Sequence, residues 1–142
     1  MSDPIRELYR QLIVEHGKHP HHRGALAHAT HAATVDNPMC GDVVTLQLVV
    51  DGDRITEVAH DGHGCALSIA ASSVLADRLI DLSLDDARSL VAAFEAMVAD
   101  EPGSPDRADA LGPLASFAGV RQFRSRRTCA TLCGRALLRA LE

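Results

Sequence analysis

The sequence contains no tryptophan, one tyrosine (Tyr9) and three phenylalanines, so aromatic residues make up only 3% of it. That scarcity excludes the aromatic stacking platforms on which single-strand nucleic-acid binders lay successive bases. Basic residues are also in deficit, with 14 Lys and Arg against 19 Asp and Glu and a formal net charge of -5. A chain of that sign does not have a phosphate backbone as its general partner, so no nucleic acid is expected. No stretch approaches the roughly 20 consecutive apolar residues of a membrane-spanning helix, so no membrane partner is expected either. The opening residues Met1-Ser2-Asp3-Pro4-Ile5-Arg6-Glu7 have neither the basic start nor the apolar run of a secretory leader, which predicts a cytoplasmic protein.

What is present fits one globular domain, residues 1–142, with 46% apolar residues and a core built on Ala, Leu and Val. Four cysteines, Cys40, Cys65, Cys129 and Cys133, occur in this short chain. In a reducing compartment they read as metal ligands or reactive groups before they read as a disulfide framework.

Along the chain, Asp3-Pro4 opens an amphipathic helix over 4–16, with Ile5, Leu8, Tyr9, Leu12 and Ile13 on one face. Gly17 to Gly24 is a polar loop rich in His. A weak strand over Ala25–Val35, a strong one over Val43–Val50 and a third over Arg54–His60 draw a three-stranded antiparallel sheet, with Asp51-Gly52-Asp53 as a hairpin turn. After Gly62-His63-Gly64 the period becomes helical and Cys65 stands at a helix start. Ser83-Leu84-Asp85-Asp86 caps a third helix with a stripe of Ala87, Leu90, Val91, Phe94, Met97 and Val98. An acidic loop over 100–109, a short apolar segment from Leu111 to Phe117 and a last helix over Thr128–Leu141, with Cys129 at its start, complete the outline.

Three settings carry chemistry. Cys40 and Asp42 bracket Gly41 in Asn37-Pro38-Met39-Cys40-Gly41-Asp42, a turn composition that aims two donors the same way. Cys65 follows a Gly-rich stretch at a helix N-terminus, where the helix dipole favours a thiolate, and Cys129 is expected in the same environment. Three thiolates and a carboxylate make a four-donor set that zinc accepts, and iron in a cluster accepts the same thiolates. Taken singly, each cysteine equally fits a small buried apolar side chain.

These motifs, NPMCGD over 37–42, GHGCALS over 62–68 and RRTCATL over 126–132, resemble in order the three cysteine motifs of the U-type iron-sulfur assembly proteins, the SufU and IscU group. Tyr9-Arg10, Glu15-His16, Pro20 and Gly24 resemble the same family's first helix and loop, so the likeness spans essentially the whole chain. The extra segment at about 100–125, and Thr128 where IscU proteins carry a His, are similar to the SufU branch.

The resemblance implies an α+β fold, a three-stranded antiparallel sheet packed against about five helices with the metal site at the sheet edge. It implies Zn2+ held by Cys40, Asp42, Cys65 and Cys129, with Cys40 as acceptor of persulfide sulfur from a SufS-type cysteine desulfurase and a SufBCD-like complex downstream. Arg126 matches a family Arg beside the last cysteine and is the expected docking residue. One alternative is a scaffold that builds and hands on a [2Fe-2S] cluster, and a second is a non-enzymatic zinc protein that activates the desulfurase. Cys133, one helical turn beyond Cys129, reads as a bystander or filler. Six of the eight histidines lie between His16 and His31, which reads as a solvated loop with an accessory metal site as the sharper alternative. The six Arg of Arg121–Arg139 suit a solvated face or an acidic partner.

Overall fold

The computed structural model describes residues 4–39, 41–99 and 111–142. In chain order it has helix α1 (Pro4–Lys18), strands β1 (His31–Asn37), β2 (Asp42–Asp51) and β3 (Arg54–His63), helices α2 (Ala66–Leu79) and α3 (Leu84–Ala99), a 3-10 segment (Gly112–Gln122) and helix α4 (Arg124–Ala140). The strands form an antiparallel sheet in the order β1-β2-β3. With four α-helices and one 3-10 helix among the described residues, the α+β expectation holds.

Alternation along β2 sets the layers. Asp42, Val44, Leu46 and Leu48 are buried while Val43, Thr45, Gln47 and Val49 are half-exposed, so one face of the sheet meets the helices and the other meets water. On that inner face Val35 pairs with Val44, Asn37 with Asp42 and Val58 with Leu48. Helix α2 is buried almost all round, through Ser68, Ala70–Ala76 and Leu79. Its run of Ala and Ser lets α1, α4 and the sheet approach it closely. Helix α3 buries the stripe that its periodicity predicts, and Phe94 meets Phe117 of the 3-10 segment edge to face at 5.9 Å. Ser83 caps α3, its Oγ accepting the N–H of Asp86 at 3.1 Å.

Three boundaries differ from expectation. The weak strand begins at His31, not Ala25, because residues 25–30 run beside β2 with irregular bonding: the Leu26 N–H goes to the side chain of Gln47. Strand β3 runs on to His63, three residues beyond the predicted end. Helix α4 begins at Arg124 rather than Thr128, so Cys129 lies in the second turn and not at the start. Its first turn, Arg124-Ser125-Arg126-Arg127, is polar and largely exposed, and apolar periodicity cannot register such a turn. The predicted loop over 100–109 lies outside the described residues.

Candidate metal centre

Asp42 is the first residue of β2 and continues the row of Val44, Leu46 and Leu48, so the strand's own period turns a carboxylate inward at the end of the sheet. It is 3% exposed. A buried carboxylate needs partners, and one oxygen, Oδ1, accepts the backbone N–H of Cys65 at 3.0 Å. The other, Oδ2, lies 3.5 Å from Cys65 Sγ.

The glycines of Gly62-His63-Gly64 make this approach possible. A Cβ at Gly62 would stand 2.0 Å from the Val43 carbonyl oxygen, on a backbone with φ of 131° that L side chains rarely adopt. A Cβ at Gly64 would stand 2.7 Å from Asp42 Oδ1. Cys65 is the N-cap of α2, as expected from the sequence, and its side chain makes no capping bond, so its sulfur remains available to the site.

Cys129 reaches the same place from α4. It is 3% exposed, and its Sγ lies 3.9 Å from the Ser125 carbonyl one turn earlier. One donor atom from each of Asp42, Cys65 and Cys129 lies within 4.8 Å of the other two. Two sulfurs and a carboxylate, drawn from a strand end, a helix cap and a helix interior, fit a thiophilic metal ion. The site stands at the margin of the sheet, where β2 starts.

Cys40 lies outside the described residues. Its neighbours belong to the turn that leads into the site: Gly41 has φ of 78° and donates its N–H to the Asn37 carbonyl at 2.8 Å, and Asn37 pairs with Asp42. Arg126 is exposed on the first turn of α4. Close to the ligands in sequence, Met39 is 91% exposed and Phe123 is 59% exposed. Cys133 does not join the ligand group; it is packed in the apolar core, where burial pushes its thiol up to about 12 against the opposing hydrogen bond from Ser72.

The "NifU-like N terminal domain" family matches this chain over residues 8–130. The chain belongs to that family. Among its relatives, the "iron-sulfur cluster assembly scaffold protein IscU" of Streptococcus pyogenes serotype M1 is 36% identical over 138 residues, covering 97% of this chain and 85% of that protein. The "zinc-dependent sulfurtransferase SufU" of Bacillus subtilis (strain 168) is 32% identical over 130 residues, 92% of this chain and 86% of that one. The crystal structure of the SUF-system protein FiSufU from Fervidobacterium islandicum AW-1 superposes with a TM-score of 0.83 at 29% identity, covering 96% of this chain and 98% of that one. Membership of an iron-sulfur assembly family of IscU and SufU type is thereby established, and the resemblance read from the three cysteine motifs is borne out.

Within this NifU-like fold, the motif residues Asp42, Cys65 and Cys129 meet, whereas Cys133 does not. Sequence reasoning missed the steric role of Gly64, whose only signal was its place one residue before a cysteine. It also passed over Asp77, an exposed residue of α2 that faces the histidines of the loop after α1 and that no motif marks.

Proposed function

We propose that the protein is a zinc-dependent sulfurtransferase of iron-sulfur cluster biogenesis, accepting persulfide sulfur from a SufS-type cysteine desulfurase and passing it to a SufBCD-like assembly complex. The observation that carries this reading is the convergence of Asp42, Cys65 and Cys129 to within 4.8 Å of one another from three separate elements. Cys40, two residues before Asp42 in the sequence, is the fourth donor of this reading and the sulfur acceptor. Zinc bound by these four residues would keep the thiols in the thiolate form and tie the three segments together.

The chain's own residues then divide the work. Asp42 is fixed by the Cys65 N–H and by its place on the buried face of β2, and Cys65 and Cys129 stand on packed helices. Cys40 stands in the Gly-flanked motif Asn37-Pro38-Met39-Cys40-Gly41-Asp42 and not at a helix start, so its thiolate is the one this reading frees. In the transfer step the Cys40 thiolate attacks the outer sulfur of the desulfurase persulfide. A sulfur-sulfur bond forms at Cys40 as the bond inside the persulfide breaks, the desulfurase cysteine leaves as a thiolate, and no net oxidation or reduction occurs. Arg126, exposed on α4 upstream of Cys129, is the docking residue of this reading. The chain acts in the cytoplasm as one domain over 1–142, with the SufU-type insertion at about 100–125.

Thr128 favours this reading over a cluster scaffold, because a hydroxyl beside Cys129 does not replace an imidazole as a ligand. The scaffold reading, in which a [2Fe-2S] cluster is the cargo, is favoured by the name of the Streptococcus pyogenes relative. Elemental analysis and a visible spectrum of protein purified without oxygen separate the two. About one zinc per chain and no colour supports the sulfurtransferase, while iron with matching acid-labile sulfide supports the scaffold. Labelled sulfur is then expected on the protein after incubation with the desulfurase and cysteine, and not on Cys40→Ala. Faster desulfurase turnover with no sulfur ever on this chain would leave it an activator only.

A further inference from the structure

His16, His21 and Asp77 bring one donor atom each to within 4.8 Å of one another, from α1, the loop that follows it and α2. The His16 side chain is buried, with Nδ1 2.6 Å from Ser73 Oγ, and the same hydroxyl oxygen accepts the backbone N–H of His21 at 2.7 Å. One residue of α2 thus fixes both the ring of His16 and the backbone of His21, and the two imidazole centroids lie 4.5 Å apart. Asp77, four residues beyond Ser73 and so on the same face of α2, meets His21 Nδ1 at 2.7 Å through Oδ2 and His22 Nε2 at 2.9 Å through Oδ1.

We propose that His16, His21 and Asp77 form a second metal site, which takes one divalent transition-metal ion of borderline softness through nitrogen and oxygen donors. Two imidazoles and a carboxylate suit Zn2+, Fe2+, Co2+ or Ni2+ and make a set chemically unlike the sulfur-lined centre. Each end of the group carries the outer contacts that ligands of a metal ordinarily have: Ser73 orients His16, and His22 holds the second oxygen of Asp77. The ion would take the place of the hydrogen bond between His21 Nδ1 and Asp77 Oδ2. Donors around one ion stand roughly 3 to 3.5 Å apart, and since His21 and Asp77 are both exposed the group can close to that spacing and leave the remaining positions to water. The two centres share no ligand. Cys65 caps the start of α2 and Asp77 lies near its end, roughly 18 Å away along the helix axis. Metal at the second site would clamp the end of α1 and its loop onto α2.

The test uses the whole protein, its thiolate centre first filled with one equivalent of Zn2+ and then titrated with Co2+ by calorimetry and visible absorption. One further Co2+ per chain is expected, with weak d-d bands and no thiolate-to-metal charge transfer. His21→Ala and Asp77→Asn are each expected to weaken that uptake at least tenfold while zinc content and melting temperature stay at the parent's values. His19→Ala, an exposed loop histidine outside the group, is expected to bind as the parent does. The proposal falls if Co2+ uptake does not saturate, if the two variants bind it as tightly as the parent, or if charge-transfer bands show that Co2+ has displaced zinc from sulfur.

Discussion

At Gly64 a single methyl group decides whether Asp42 keeps its place, because a Cβ there would stand 2.7 Å from Oδ1 and 2.8 Å from Cγ of the carboxylate. Gly64→Ala is therefore expected to displace Asp42 and lower zinc retention at least tenfold against a competing chelator. Gly119→Ala, whose Cβ meets nothing within 4 Å, serves as the control and should retain metal. His60 argues a different property of a single residue. It is buried, 3% exposed, and its Nε2–H donates to the His21 carbonyl at 2.8 Å. Burial holds its pKa below the ordinary 6.5, partly offset by that hydrogen bond, with Arg23 and His22 lowering it further and Asp61 opposing them. The unfolded chain thus binds the proton more readily than the folded one, so the stability that neutral His60 contributes is present above about pH 6.5 and is lost as pH falls from there through the folded value. Urea midpoints measured from pH 8 to 5 are expected to fall on acidification below about 6.5, and His60→Gln, which keeps a donor for the His21 carbonyl, should show a shallower fall.

Among the elements, α4 is the one whose surroundings most constrain it. It packs against α2, α3, β1 and β2, and its Gly134 faces Val91 of α3 so closely that a Cβ would lie 3.0 Å from Cγ1. A glycine inside a helix ordinarily weakens it, and here it allows two helices to touch. Gly134→Val should cost about 1 to 3 kcal/mol by overpacking, read as a lower urea midpoint with an unchanged m-value. The α2 and α3 boundaries were legible from the sequence because Cys65 and Ser83 mark their starts and apolar periodicity marks their faces. The start of α4 was not, since its first turn, Arg124-Ser125-Arg126-Arg127, is polar, with Arg124 and Arg126 exposed, and leaves no apolar signal. That difference bears on chemistry: Cys129 sits inside the helix, in its second turn, and not at the N-terminal position that its expected place promised.

Across the whole molecule, the candidate metal centre joins the end of the sheet to α2 and α4, elements far apart in sequence. Metal held there cross-links the fold, so removing it is expected to lower the melting temperature and to broaden resonances around Asp42, Cys65 and Cys129 first. A melt that is the same with and without a chelator would sink this account. Among the described residues the apolar core cluster includes Cys133 but none of Asp42, Cys65 and Cys129, and burial keeps Cys133 as a thiol, so the core should persist as a folded unit when the metal is gone. Acid-induced loss at His60 and chelator-induced loss at the candidate metal centre are expected to be separable, since His60 is not part of the group of Asp42, Cys65 and Cys129.

The order of elements, the inner face of β2, the stripe of α3 and the cysteine motifs that hold Asp42, Cys65 and Cys129 were readable from one dimension, because side-chain period and short motifs are local properties of a chain. That Asp42 belongs to the buried row also follows from period alone, once β2 is known to start there. Tertiary structure alone decided the rest. It brought Cys129 to Cys65 and Asp42, turned Cys133 into the core one helical turn away, set Gly64 against a carboxylate and faced Asp77 toward His21 and His22 of the loop after α1. Each of these depends on the distance between residues remote in sequence, and such distances are fixed by how helices and sheet pack rather than by any local pattern.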